Sequence, residues 1–179
     1  MPRCSPFGFS LREVNVRPAR LDDARRLGEI HVETWRATYV GVMPQDVLDG
    51  LSVEERERLW SEWIPHPETE VFVADPDGEV VGFVSVGPSR SSPGVGELYS
   101  IYVVPSAHGS GAGPALMDAA VAALARRWDQ AILWVATENP RARRFYERHG
   151  WVADCDRVEM IAGTSVAETR YRLSGLTRR

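Results

Sequence analysis

The sequence contains no lysine, and all 21 of its basic residues are arginine. A P-loop for nucleoside triphosphates is therefore excluded, because that motif needs a lysine that reaches the phosphates. The 25 acidic residues give a formal net charge of −4, which argues against a nucleic-acid-binding protein held by phosphate contacts. A cationic ligand is compatible with this charge.

Cysteines and long apolar runs are also scarce. Cys4 and Cys155 have no metal or redox spacing, and the histidines show no ligand pattern, so we expect two free thiols and no metal. No stretch approaches the roughly 18 continuous apolar residues of a membrane span. The first ten residues also lack an apolar run of signal-peptide length. These absences predict a cytoplasmic protein without a membrane partner.

The chain has 179 residues, of which 44% are hydrophobic and 26% charged, as in an ordinary globular protein. Residues 1–12 contain Pro2, Pro6 and Gly8 and are predicted to be flexible. Residues 13–179 have a suitable length for one domain with one core.

Hydrophobic periodicity predicts alternating strands and helices. Helices are expected from Asp22 or Asp23 to Tyr39, from Ser52 to Ile64, from Pro114 to Arg127, and from Asn139 to Gly150. Strands are expected at residues 14–17, 71–74, 79–86, 97–104, 131–135, 157–161 and 166–173. The order predicts an α/β fold with a mixed sheet of about seven strands and about four helices.

A glycine-rich turn, His108 to Gly113, joins the strand that ends at Pro105 to the following helix. The first N–H groups of a helix have no partner inside the helix, and they lie at the positive end of its dipole, so they bind anions. Glycines let the backbone approach a phosphate closely. The turn therefore predicts a pyrophosphate site, although a tight turn without a ligand remains the alternative at this point.

The dinucleotide fingerprint does not match this turn. Its third position requires glycine or alanine, whereas Pro114 or Leu116 stands there, depending on where the pattern begins. The turn also comes after a predicted β-hairpin rather than in a first βαβ unit. A nicotinamide cofactor is therefore disfavoured.

Two motifs make the sequence resemble the GNAT superfamily of acetyl-CoA-dependent N-acetyltransferases. The first is Val103-x-Pro105 followed by the turn, where the family has Gln/Arg-x-x-Gly-x-Gly/Ala. The second, about thirty residues later, is Asn139-x-x-Ala142-x-x-Phe145-Tyr146-Glu147-x-x-Gly150-Trp151. The order of elements agrees from about Val14 to the end. The resemblance implies the GNAT fold, in which splayed parallel strands form a slot for acetyl-CoA.

The resemblance also implies which residues bind acetyl-CoA. Backbone groups would hold the pantetheine arm and the pyrophosphate, and a side chain would contact the arm. In this sequence they are Ile101, Tyr102, Val103, His108, Gly109, Ser110, Gly111, Ala112, Gly113, Pro114, Asn139 and Tyr146. Two of them depart from the family. His108 replaces glutamine or arginine, and Pro114 replaces a residue that donates an N–H, so weaker binding is expected.

Acetyl transfer to an amine needs a neutral amine and a proton for the leaving thiolate. Tyr146 stands at the family position that protonates the sulfur, and a phenol with a pKa near 10 keeps its proton at neutral pH. Glu97 matches the base of the histone-acetylating members. By alternation it would share one face of its strand with Tyr99, Ile101 and Val103. A solvated glutamate, with deprotonation through water, is the alternative.

The first two helices would build the acceptor site. Trp35 and Tyr39 are candidates to bind the acceptor, because aromatic faces attract cations, although packing in the core explains them equally well. A small-molecule amine is expected as acceptor, with a protein or peptide amine as the other possibility. A non-catalytic acetyl-CoA-binding sensor or partner module, a longer acyl donor, and a homodimer through the last two strands also stay open.

Overall fold

The computed structural model describes residues 14–76 and 78–176. The predicted flexible segment at residues 1–12, Cys4 and Asp77 lie outside the described residues; Cys155 is exposed and free. The strands are β1 (Val16–Pro18), β2 (Glu70–Ala74), β3 (Gly82–Pro88), β4 (Gly96–Val103), β5 (Gln130–Ala136), β6 (Val152–Ile161) and β7 (Thr164–Ser174). The helices are α1 (Ala24–Thr38), α2 (Gln45–Asp49), α3 (Val53–Trp63), α4 (Ala112–Ala125) and α5 (Pro140–Arg148).

All seven strands form one mixed sheet in the order β1-β2-β3-β4-β5-β7-β6. Every neighbouring pair is antiparallel except β4 and β5, which are parallel. The predicted mixed sheet of seven strands is therefore confirmed. The last hairpin inserts β7 beside β5 and leaves β6 at the edge.

The parallel strands β4 and β5 separate soon after they meet. They are paired only at Gly96↔Ala131 and Glu97↔Ile132. Beyond these pairs β4 continues to Val103 and β5 to Ala136 without pairing to each other. The two strands thus open a slot in the middle of the sheet, and the predicted splay is confirmed.

Helices cover both faces of the sheet. On one face, Leu116, Met117 and Leu124 of α4 lie fully buried in a cluster that includes Tyr146 of α5. On the other face, α1 and α3 pack together on β2, β3 and β4 through a second cluster, which contains Trp60. The slot therefore lies between a layer formed by α4 and α5 and a layer formed by α1 and α3.

Sequence signals explain where three helix ends fall. Ser52 precedes α3, and its hydroxyl accepts the N–H of Glu55 at 3.2 Å. Asn139 precedes α5, and its carboxamide accepts the N–H of Ala142 at 3.0 Å. Gly150 follows α5 with φ of 84°, a left-handed conformation that favours glycine at this position.

Several bounds differ from the predictions: β6 begins at Val152 rather than at residue 157, and α4 begins at Ala112 rather than at Pro114. The five-residue helix α2 makes five α-helices instead of about four. It was not predicted because two turns or fewer are too short to show helical periodicity. The second strand of the hairpin begins at Gly82 rather than Glu79.

Candidate functional site

The glycine turn presents free backbone donors at the start of α4. Gly109 and Gly111 have φ of 84° and 93°, in a region of backbone conformation that residues with a side chain rarely adopt. Within residues 14–76 and 78–176, the N–H groups of Gly109, Gly111 and Gly113 donate to no other residue. The Ala112 N–H is bound by the Ser110 hydroxyl at 3.3 Å. The turn therefore offers N–H groups to an anion, as the sequence predicted from its glycines.

Proline at position 114 removes one donor from this first turn. Pro114 lies at the third position of α4, where the N–H of another residue would also lack a partner within the helix. Its fixed φ suits the start of a helix. Helix formation at this place is therefore favoured while the anion site keeps fewer donors.

His108 fixes the turn to the end of β4. Its Nε2 lies 3.0 Å from the Val103 carbonyl oxygen, so the nitrogen donates to this oxygen. Burial, together with the nearby charge of Arg141, lowers the pKa of His108 below its usual range, despite the opposite effect of this hydrogen bond. A neutral imidazole in this place acts as a support for the turn.

The backbone of β4 presents alternate residues to the slot. The Val104 N–H donates to the Val81 carbonyl oxygen at 2.9 Å, which fixes the alternation against β3. The backbone groups of Tyr102 then face β3, and those of Ile101 and Val103 face the slot. The groups of Ile101 and the Val103 N–H are suited to bind an extended chain as an added strand, whereas the Val103 carbonyl oxygen already contacts His108.

Tyr146 lies in the wall of the slot on α5. Its residue surface is only 7% exposed, and its ring packs 6.0 Å from that of Tyr171, measured between centroids. Burial, followed by the proximity of Tyr102, raises the pKa of the Tyr146 phenol well above its usual range. The phenol is therefore protonated at neutral pH and can donate this proton.

Glu97 is buried at the point where β4 and β5 separate, and Arg90 binds both of its carboxylate oxygens. The Arg90 guanidinium is 2.6 Å from Oε1, and the Arg90 N–H is 3.0 Å from Oε2. The guanidinium also stacks on the Tyr99 ring at 4.8 Å. Two Arg90 donors bind Oε1 and one binds Oε2, so Oε2 keeps one lone pair for a further donor.

A bulge in β4 changes which residues share a face. Val86 pairs with Leu98 and Ser85 with Ser100, so Tyr99 has no partner on β3. Tyr99 packs against Trp63 of α3, whereas Ile101 and Val103 pack on the α4 side. The prediction that Glu97, Tyr99, Ile101 and Val103 lie on one face is therefore wrong.

Aromatic side chains from α1 and β4 meet on the other side of the slot. The Trp35 indole N–H donates to the Tyr102 hydroxyl at 2.9 Å, and Tyr39 packs 5.0 Å from Trp35 between ring centroids. Burial raises the pKa of Tyr39, and Tyr102, Tyr146 and Glu168 raise it further in that order. Trp35 and Tyr39, the two predicted acceptor-binding residues, thus lie together near Tyr146.

Glu168 is a residue of this region that the sequence did not indicate. It lies on β7 opposite Ala136, the last residue of β5. The local sequence shows only an ordinary alternation of strand residues. Its position at the slot depends on the register of β7 with β5, which no local motif encodes.

Asn139 uses only part of its side chain in the cap of α5. Its Oδ1 accepts the Ala142 N–H, so the amide NH2 group remains for another partner, as its predicted contact with pantetheine requires.

Among the described residues, no three His, Cys, Asp or Glu side chains lie close enough together to hold a metal ion. None of the described helices has the length and apolar character needed to cross a bilayer.

Known proteins share both the sequence pattern and the fold. The pattern of the Acetyltransferase (GNAT) family matches residues 27–151. YuaI, an uncharacterized N-acetyltransferase of Bacillus subtilis, is 38% identical over 131 residues, which cover 71% of this chain and 74% of YuaI.

Two solved structures have a similar fold at low sequence identity. The PaiA N-acetyltransferase of Thermoplasma acidophilum, in complex with coenzyme A, has a TM-score of 0.71 and 18% identity over 90% of this chain and 99% of that one. The putative acetyltransferase yncA of Salmonella typhimurium, with its cofactor acetyl-CoA, has a TM-score of 0.70 and 19% identity over 90% and 93%.

Proposed function

The chain belongs to the acetyltransferase (GNAT) family, and we propose that it transfers the acetyl group of acetyl-CoA to a primary amine of a small molecule. Membership of this family makes the chain an acyltransferase. The choice of acetyl as the acyl group and of a small-molecule amine as acceptor is the proposal.

One observation carries the proposal: the slot between β4 and β5 connects free N–H groups at its open end with a buried phenol in its wall. The glycine turn follows the end of β4, and Tyr146 lies on the helix that follows β5. We infer that Gly109, Gly111 and Gly113 bind the pyrophosphate through their N–H groups. Ile101 and Val103 would bind the pantetheine arm, with Asn139 beside it.

The proposed roles of the remaining residues follow from the needs of the reaction. Acetyl-CoA supplies the thioester whose carbonyl carbon the amine attacks. The Tyr146 phenol donates its proton to the departing sulfur, and burial in a water-poor wall keeps that proton available. An N–H near Val103 would polarise the carbonyl. Glu97 is the predicted base that takes a proton from the amine.

The acceptor would enter from the side of α1. Trp35 and Tyr39 are the proposed acceptor-binding residues, because aromatic rings attract a cationic amine. Trp35 would also position Tyr102, because its indole N–H donates a hydrogen bond to the Tyr102 hydroxyl. A protein or peptide amine as acceptor, a cytoplasmic location and a homodimer stay predictions.

The first experiment tests binding of the donor and then turnover. Calorimetric titration should give saturable binding of acetyl-CoA and none of ATP or NAD. A panel of amines followed by CoA release should then identify turnover. Binding without turnover on any amine would favour the non-catalytic acetyl-CoA-binding module, and no binding at millimolar acetyl-CoA would contradict both functions.

Tyr146→Phe tests the proposed general acid. The variant should lose about 100- to 10,000-fold in kcat, because loss of a positioned proton donor has effects of this size, and its acetyl-CoA affinity should stay unchanged. Tyr171→Phe is the matched control, because it removes a phenol from the same core whose hydroxyl donates to Glu147 at 2.7 Å. Equal rates in both variants would exclude this role for Tyr146.

A further inference from the structure

Glu168 has one carboxylate oxygen that is bound and one that is not. It is only 9% exposed, and the Arg157 Nε and Nη2 both donate to its Oε2, at 2.9 and 2.8 Å. Its Oε1 accepts a hydrogen bond from no residue in the described parts of the chain. Oε1 is reached by solvent and is not sealed in the interior, so it is open to a cationic group from outside the chain.

Glu168 lies beside the last residue of β5, on the side of the sheet where Tyr39 packs. Val166 and Glu168 share one face of β7, because they are two residues apart in the strand. Val166 forms a buried cluster with Ala136, and Tyr39 packs against that cluster. Glu168 therefore lies near Tyr39, which agrees with the contribution of its charge to the raised pKa of that phenol.

The positive side chains around Glu168 already have acidic partners. Arg157 contacts Glu159 at 3.3 Å as well as Glu168, and its guanidinium carbon lies 3.8 Å from the centroid of the Trp134 ring. Arg170 binds both carboxylate oxygens of Asp154, at 2.7 and 3.1 Å. Of the groups named here, Glu168 Oε1 is thus the atom without a hydrogen-bond donor. Its negative charge favours a cation as partner.

This cation differs from the attacking amine. Glu168 is already in an ion pair with Arg157, and its carboxylate attracts a group that carries a positive charge. A group that remains charged suits Glu168 better, whereas the attacking nitrogen must be neutral. We propose that Glu168, through Oε1 and beside the Tyr39 ring, binds a second cationic group of the acceptor. The inference rests on the proposed acetyl transfer and restricts its substrates to amines with a second positive charge.

A series of four-carbon amines on the wild-type protein tests this proposal without any variant. The compounds are putrescine, butylamine, aminobutanol and aminobutyrate, which differ in the group at the far end. The value of kcat/KM should be highest for putrescine, about 10- to 100-fold lower for butylamine and aminobutanol, and lowest for aminobutyrate. A charge-assisted hydrogen bond accounts for a preference of this size. Equal values for putrescine and butylamine would overturn the proposal.

Glu168→Gln then identifies the residue responsible. Glutamine keeps the shape of the side chain and can still accept a hydrogen bond from Arg157. The kcat/KM for putrescine should therefore fall to about that for butylamine, and the kcat/KM for butylamine should stay unchanged. Glu159→Gln is the matched control, because it removes the other carboxylate bound to Arg157 and should keep the preference. A putrescine preference that survives in Glu168→Gln would overturn the assignment.

Failure of the proposed function gives a different result from failure of this inference. If the wild-type protein binds acetyl-CoA and acetylates butylamine as well as putrescine, the proposed function holds and the role of Glu168 is rejected. If it acetylates no amine, both proposals are rejected together. The acetyl-CoA titration, repeated on Glu168→Gln, should give the wild-type affinity, because the residue lies on the acceptor side.

Discussion

At the scale of single residues, Pro114 is the most direct departure from an ideal phosphate site. Its ring nitrogen carries no hydrogen, although its place in the first turn of α4 is one where an N–H would have no helical partner. Gly109, Gly111 and Gly113 leave donors free beside it. The protein thus combines a favourable helix start with an incomplete set of donors.

Pro114→Ala should strengthen coenzyme A binding by about 2- to 10-fold, because one additional N–H becomes available to a phosphate oxygen and such a hydrogen bond is worth about 0.5–1.5 kcal/mol. Calorimetry with free CoA measures the change. Pro65→Ala, at an exposed position after α3, is the control and should leave the affinity unchanged. The same dissociation constant in Pro114→Ala would show that the phosphates do not use this position.

Residue contacts also explain why the site was only partly predictable. The motifs indicated Tyr146, and the glycines indicated the turn. The hydrogen bond between Trp35 and Tyr102 joins residues 67 positions apart, and Arg90 binds Glu97 through the folding of a loop. Such partners depend on tertiary structure, which spacing in the sequence does not encode.

At the scale of helices and strands, α1 and α3 approach each other closely at Gly28. A Cβ built at this position would lie 2.9 Å from the Val53 carbonyl oxygen and 3.0 Å from the Glu57 nitrogen. Both atoms belong to the backbone of α3, which cannot turn aside as a side chain does. The glycine therefore sets the distance between α1 and α3, the two helices that pack together on one face of the sheet.

Gly28→Ala should lower the free energy of unfolding by about 1–3 kcal/mol, because overpacking against a backbone displaces whole elements. This loss opposes the gain of about 1 kcal/mol that alanine gives inside a helix. Urea unfolding followed by circular dichroism measures the change. Gly50→Ala, just beyond α2, is a milder comparison, with its nearest contact at 3.1 Å. A more stable Gly28→Ala protein would contradict the close approach.

The strands show what local patterns can and cannot predict. Alternation and turn residues indicated all seven strands, because these signals are local. The bulge at Tyr99 was not indicated, and it reverses the faces of the residues beyond it. The mixed sheet was predictable from the order of elements, but the register of β7 with β5, which brings Glu168 to the slot, depends on the folded sheet.

At the scale of the whole molecule, ion pairs at both ends of the sheet stabilise the fold as long as their carboxylates stay charged. Near β1, Arg17 holds the pKa of Asp23 below its usual range, and Asn15, followed by Arg17, does the same for Asp75. Near β6, Arg170 is the main cause of a lowered pKa at Asp154. Stability from these carboxylates is present above their unfolded pKa of about 3.9 and is lost only as the pH falls below it.

A different group should make the protein sensitive to milder acid. His31 is 7% exposed, its two ring nitrogens have no partner among the described residues, and it packs among Trp35, Trp60 and Tyr102. Burial, with a contribution from Arg56, lowers the pKa of His31 from 6.5 to about 3. Between pH 6.5 and about 3, His31 is therefore protonated in the unfolded chain and neutral in the folded protein.

The free energy of unfolding should thus decrease as the pH falls from about 6 to 4, with a slope that approaches about 1.4 kcal/mol per pH unit from this one site. The lowered pKa of His108 adds a smaller effect of the same sign. Urea unfolding at a series of pH values measures the slope. His31→Phe keeps an aromatic ring without a titrating group and should flatten the curve in this window, whereas His66→Phe, at an exposed position, should not. A wild-type slope in His31→Phe would mean that the imidazole at position 31 accepts its proton in the folded state.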